Sequence, residues 1–171
     1  LGETALADTA LRRVPPESLH VTLAFLGGRP LEDVERIEWA MEEVAELPVL
    51  LELAGPVGCP PTGRPRIVAL PLRFSRPVEG LQERLSRRLA FEGLYEPGTR
   101  PFWPHVTVAR TRAEGGGSRR PMRVDVPSGP SPTEDVGYFN GVRISLYRSE
   151  LQPSGARYVP LAQVELPRNG W

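Results

Sequence analysis

Pro104-His105-Val106-Thr107-Val108-Ala109-Arg110 is the stretch that decides how this chain is read, because Leu19-His20-Val21-Thr22-Leu23-Ala24-Phe25 nearly repeats it. The chain has 2 histidines in 171 residues, and each stands at the same place in its copy. Two related halves, each offering one His-x-Thr to a shared place, account for such a repeat. Both copies are rich in Val, Leu and Thr, which suit a pleated strand. Side chains alternate between the faces of a strand. His20 and Thr22 therefore share one face, as do His105 and Thr107, while Val21, Leu23, Val106 and Val108 take the apolar one.

The residue types then point to a chemistry. Imidazole is the side chain whose ordinary titration lies nearest neutrality. Two imidazoles at one site can act as a base and an acid without a metal. Cleaving a phosphodiester needs that pair: one group takes a proton from the attacking water, and the other gives one to the leaving oxygen. Threonine hydroxyls can donate hydrogen bonds to the non-bridging oxygens, where charge accumulates. A single His on a strand is more often structural than catalytic, and a single His-x-Thr says little. The paired copies, using every histidine in the chain, say much more. A two-histidine metal site would want a further ligand at a spacing such as His-x-x-x-His or Cys-x-x-Cys, and the sequence has neither.

The paired motifs resemble those of the 2H phosphoesterase superfamily, and within it the RNA 2′,3′-cyclic phosphodiesterase family, also called 2′-5′ RNA ligase. Four stretches carry the resemblance: Val14 to Gly27, Arg64 to Val68, Pro101 to Arg110 and Leu146 to Tyr158. The resemblance implies an α+β fold of two pseudo-symmetric lobes, each with a mainly antiparallel sheet and outer helices, with the motif strands facing across a central cleft. It implies hydrolysis of an RNA 2′,3′-cyclic phosphate end to a 2′-phosphate end, and 2′-5′ joining in reverse. The family pattern makes His20 the proton donor and His105 the proton acceptor, with Thr22 and Thr107 on the phosphate. It implies no metal, no cofactor and no obligate protein partner; the partner is RNA bearing the cyclic end. The family opens with a further strand and helix. That strand has no match here, so it is expected to be missing from this sequence.

Other readings stay open at this stage. One is a 2H enzyme acting on small cyclic nucleotides or oligonucleotide 3′ ends. Another is a non-catalytic module that binds RNA ends. Trp103 stands where relatives often carry arginine, and could stack on a base or cover the site edge. Arg110 is a second possible substrate contact. It lies five residues after His105, so an ideal strand would send it to the opposite face.

Bulk properties agree with one domain over residues 1–171. The chain is 40% hydrophobic with zero formal net charge. No apolar run approaches the roughly 18 residues of a membrane span. One cysteine, Cys59, rules out an internal disulfide, and no secretory pattern is visible, so a cytoplasmic location is expected. All 21 basic residues are arginine. Six of them fall between Arg100 and Arg123 against one acid, Glu114, which suits either a basic lip for RNA or a solvated loop.

The periodicity predicts helices over Leu31–Leu47, with an acidic outer face, and Pro77–Tyr95. It predicts strands over Leu19–Leu26, Val49–Leu53, Ile67–Leu72, His105–Thr111, Val142–Tyr147 and Tyr158–Leu166, and a short one over Arg123–Val126. Thr4 to Arg13 is read as the end of a helix. Gly55 to Pro65 is read as a turn, with Arg64 and Arg66 near its tip.

Overall fold

A computed structural model describes residues 10–115, 117–126, 129–130, 137–152 and 155–168. Its elements in chain order are β1 (Leu11–Arg13), α1 (Val34–Val44), β2 (Leu50–Leu53), β3 (Val57–Cys59), β4 (Ile67–Phe74), α2 (Arg76–Phe91), β5 (His105–Thr111), β6 (Phe139–Asn140), β7 (Arg143–Gln152) and β8 (Gly155–Glu165). Every strand pairing among the described residues is antiparallel. This is the mixed class expected, with antiparallel sheet and helices.

The chain forms two compact units, and they are not its two halves. The first draws on Leu1–Thr22, Glu52–Phe74 and Trp103–Tyr138; the second takes Leu23–Leu51, Ser75–Phe102 and Phe139–Trp171. Both His-x-Thr motifs thus belong to the first unit. The two motifs come from different halves of the sequence and are grouped in one compact unit.

The first unit is a sheet with strand order β1-β5-β4-β3. Glu52 and Leu53 of β2 pair with β4 as well. One sheet face carries the core, in which Ala10, Leu11, Val68, Leu70, Val108, Ala109 and Val124 cluster, with Val106, Met122 and Val126 packed against them. Val68 and Leu70 alternate along β4 as period two requires. Burying each such side chain stabilises by about 1.5–3 kcal/mol. β3 lies inside the stretch read as a turn; Val57 opposes Ala69 and Cys59 opposes Ile67. Its Val-Gly-Cys is too short for a periodic signal. Gly58 is required there, because a Cβ would crowd the Pro65 ring at 3.0 Å and Val126 at 3.2 Å.

The second unit holds α1, α2, β6 and the β7–β8 hairpin, with Leu50 and Leu51 paired to β6. α1 buries Ile37, Ala40, Met41 and Val44, the stripe of a 3.6-residue period. α2 buries Val78, Leu81, Leu85 and Leu89, and Pro77 sits in its first turn, where the missing N–H costs nothing. Part of the acidic face of α1 is occupied by arginine: Arg88 pairs with Glu43 and lies 4.1 Å over the Trp39 ring.

Three local expectations fail. Leu11–Arg13, read as helix, is a strand against β5. Residues 123–126 form no strand, although Val124 is buried. The strand expected over Leu19–Leu26 shrinks to one bridge, Val21 to Val106. Just before it, Pro15 and Pro16 have no N–H for a ladder, and the chain makes a 3-10 turn over Pro16–Ser18. The Gly115–Gly117 and Pro127–Pro132 loops fall partly outside the described residues.

The tightest backbone approach in the first unit gives a stability test. A methyl at Gly55 would overlap the carbonyl oxygen of Gly129. Gly55→Ala is expected to lower unfolding free energy by about 1–3 kcal/mol. Urea denaturation would check this, and an unchanged midpoint would contradict the packing.

Candidate active site

β5 is the strand that sets out the site. On one side it pairs with β4, placing Pro71 opposite His105 and Ala69 opposite Thr107. On the other it meets β1 through Arg13 opposite Ala109, then accepts the Val14 N–H at the Val108 oxygen, 2.9 Å away. The chain then leaves the edge through the proline turn and returns at Val21 opposite Val106. Between those two pairings β5 advances three residues and the outer segment eight, so a five-residue excursion is absorbed.

That bridge fixes the register of the two motifs. Residues opposite each other in an antiparallel pair point to the same face, and their neighbours point to the other. Val21 and Val106 share the core side. His20 is then opposite Thr107, and Thr22 opposite His105, on the other side. The two imidazoles stand on a diagonal, a spacing of roughly 7–8 Å between backbones. All four side chains are half-buried.

The imidazoles are oriented in the same way. His20 Nδ1 lies 2.7 Å from the Ser18 carbonyl oxygen, and His105 Nδ1 lies 2.7 Å from the Trp103 carbonyl oxygen. A carbonyl can only accept, so each Nδ1 carries the hydrogen. In the neutral rings Nε2 is then the acceptor nitrogen. The contact is local: the acceptor is two residues back in each motif.

The structure changes the placing of Arg110. The β4–β5 ladder shifts register between Val68 and Ala69, leaving Val108 as an extra residue on β5. Val108 and Ala109 both enter the core, at 8% and 0% exposure, and alternation resumes one step late. Arg110 opposes Ile67, two residues from Ala69 along β4, and so shares the face of Thr107 and His105. Arg12 of β1 opposes Arg110. Nothing in the Val-Thr-Val-Ala pattern announces a bulge, so counting residues from His105 sends Arg110 to the wrong side.

Trp103 is also on this face, with its ring stacked on His105 at 4.1 Å between centroids and 26° between planes. Arg64 has another duty: its guanidinium pairs with Glu114 and donates to the Pro121 oxygen at 2.7 Å, tying the β3–β4 loop to the segment after β5. Arg110, Arg112, Arg119, Arg120 and Arg123 are exposed. Among the described residues no three of His, Cys, Asp and Glu gather as a metal site would require.

Two His-x-Thr stretches thus meet in antiparallel register, each imidazole held by its Nδ1. Residues 4–115 match the sequence profile of the 2′-5′ RNA ligase superfamily, and the chain belongs to that family. A Thermus thermophilus protein named RNA 2′,3′-cyclic phosphodiesterase is 34% identical over 160 residues, covering 90% of this chain and 74% of that one. An Archaeoglobus fulgidus protein of the same name is 31% identical over 160 residues, covering 92% and 85%. Among solved structures, the TT0787 protein of T. thermophilus superposes with a TM-score of 0.73 at 30% identity, over 98% of this chain and 88% of that one. Escherichia coli LigT in its apo form gives 0.70 at 26% identity, over 93% and 82%.

The orientation of the rings can be read directly. Long-range 1H–15N correlation spectra at high pH are expected to show both neutral histidines with the hydrogen on Nδ1. An Nε2–H tautomer at either residue would contradict the carbonyl contact.

Proposed function

We propose that this protein hydrolyses RNA 2′,3′-cyclic phosphate ends to 2′-phosphate ends, using His20 and His105 as an acid/base pair. The observation that carries the reading is the register of Val21 on Val106, which brings both His-x-Thr pairs to one face. The family and the names of the relatives support the substrate class.

In the proposed step, Nε2 of His105 accepts a proton from water as the water oxygen attacks phosphorus. The bond from phosphorus to the 3′ oxygen breaks, and Nε2 of protonated His20 gives that oxygen its proton. The products are a 2′-phosphate and a 3′-hydroxyl. The histidines end with exchanged protonation states, and solvent restores them. Run in the same direction with a 5′-hydroxyl in place of water, the same proton transfers join RNA through a 2′-5′ bond. Thr22 and Thr107 donate hydrogen bonds to the non-bridging oxygens as their charge grows. Each Nδ1–H bond to a carbonyl keeps its ring aimed. No step calls for a metal or a cofactor.

Arg110 extends the site along β5. Its planar guanidinium suits a phosphate oxygen, and the Val108 bulge puts it one row beyond Thr107. We assign it to binding the RNA backbone, together with exposed arginines after β5. The activity is placed in the cytoplasm, where RNA ends of this kind would be met.

The deciding experiment incubates the protein, in excess EDTA, with a short RNA ending in a 2′,3′-cyclic phosphate. A 2′-phosphate product is expected. His20→Ala and His105→Ala should each lower turnover by about 10²–10⁴. A 3′-phosphate product would reverse the leaving group. Turnover of 2′,3′-cyclic mononucleotides alone would favour a small-nucleotide enzyme, and RNA binding without turnover would leave a binding module.

Arg110 has its own test. Arg110→Ala should raise KM for the RNA by about tenfold, with a smaller effect on kcat, and should weaken the salt dependence of binding. An unchanged KM would remove Arg110 from the site.

A further inference from the structure

We infer that Trp103 is a positioning residue for His105, and that its indole serves the imidazole before it serves any nucleobase. The inference rests on the role given above to His105. Its basis is a double contact from one residue. The Trp103 carbonyl oxygen accepts the His105 Nδ1–H at 2.7 Å, and the Trp103 ring lies on the imidazole at 4.1 Å and 26°. The first contact fixes one edge of the ring. The second fixes its plane. Together they leave the imidazole little freedom to rotate about χ2, the torsion that decides where Nε2 points.

The backbone beneath is anchored too. Pro104 is buried, and its carbonyl oxygen accepts the Leu72 N–H at 3.1 Å. Pro71 opposes His105 in the same ladder. The tryptophan therefore stands on a rigid part of β4 and β5, which suits a group that must hold another in place.

The other motif shows what is special here. In each motif the Nδ1 partner stands two residues before the imidazole. At His20 that residue is Ser18, whose carbonyl makes the same Nδ1 contact. Serine has no ring to lay on the imidazole. The two histidines thus share a hydrogen bond, and at His105 the residue that makes it also lays its ring on the imidazole. One indole face is spent on this contact. At 40% exposure the residue still meets solvent.

A misaligned base costs rate more than binding. We therefore expect Trp103→Ala to lower kcat on the cyclic-phosphate RNA by about tenfold or more, with KM within about twofold. Trp103→Phe should restore most of the loss, because a phenyl ring can also stack. The stack has a second readout that needs no turnover. Ring current from the indole shifts the His105 Cδ2 and Cε1 protons, so Trp103→Ala should move them and leave those of His20 in place. A raised KM with kcat kept would make Trp103 a base platform and overturn the inference. So would His105 resonances that ignore the substitution. If wild type turns over no cyclic phosphate, the functional reading above falls, and the His105 resonances still decide the stack.

Discussion

A single antiparallel bridge, Val21 on Val106, is the constraint from which the site follows. Around it His20 faces Thr107 and Thr22 faces His105. A slip of the outer segment by one residue would turn His20 and Thr22 toward the core and push Val21 out. Val106 resists such a slip, because it packs against the cluster formed by Val68, Leu70 and Val108. The apolar side of the sheet therefore sets the geometry of the polar side. The proline turn before Leu19 serves the same end: it absorbs the surplus chain, so the outer segment can rejoin β5 at the residue that matters.

The bulge at Val108 is the second device. An even strand would carry Thr107 and Ala109 on the site face and lose Arg110 to the other. One extra residue lets both Val108 and Ala109 feed the core and returns Arg110 to the site face. The same stretch of β5 thereby packs tightly and offers a cation to the phosphate side. The asymmetry between the motifs is equally local. Ser18 and Trp103 make the same backbone contact with their histidines, yet only Trp103 adds a ring.

Much of this was legible in the sequence, and for physical reasons. The repeat named both histidines and both threonines, and strand alternation put each pair on one face. The apolar spacing of Ile37, Met41 and Val44, and that of Leu81, Leu85 and Leu89, marked the two helices. Pairing and packing were less accessible. β1 and β3 are three residues each, too short for any period to register. The bulge depends on how β4 lies against β5, which the order of residues in β5 does not encode. Arg64 looked as free as Arg66, and only the fold brought Glu114 and the Pro121 carbonyl to it. The stacking of Trp103 on His105 had a hint in the two-residue spacing, since second neighbours share a face.

The interleaving of the two units bears on how the chain comes to be folded. The backbone passes between them five times, after Thr22, Leu51, Phe74, Phe102 and Tyr138. Neither unit is a contiguous piece that could close while the rest is still being made on the ribosome. The histidine at position 20 waits for a partner strand that begins at His105, and the α1 helix for a hairpin that begins at Arg143. Contacts so distant along the chain must offset a large loop-closure entropy before they stabilise anything. The nascent protein thus carries unpaired strand edges through most of its synthesis, when it is most in need of a chaperone.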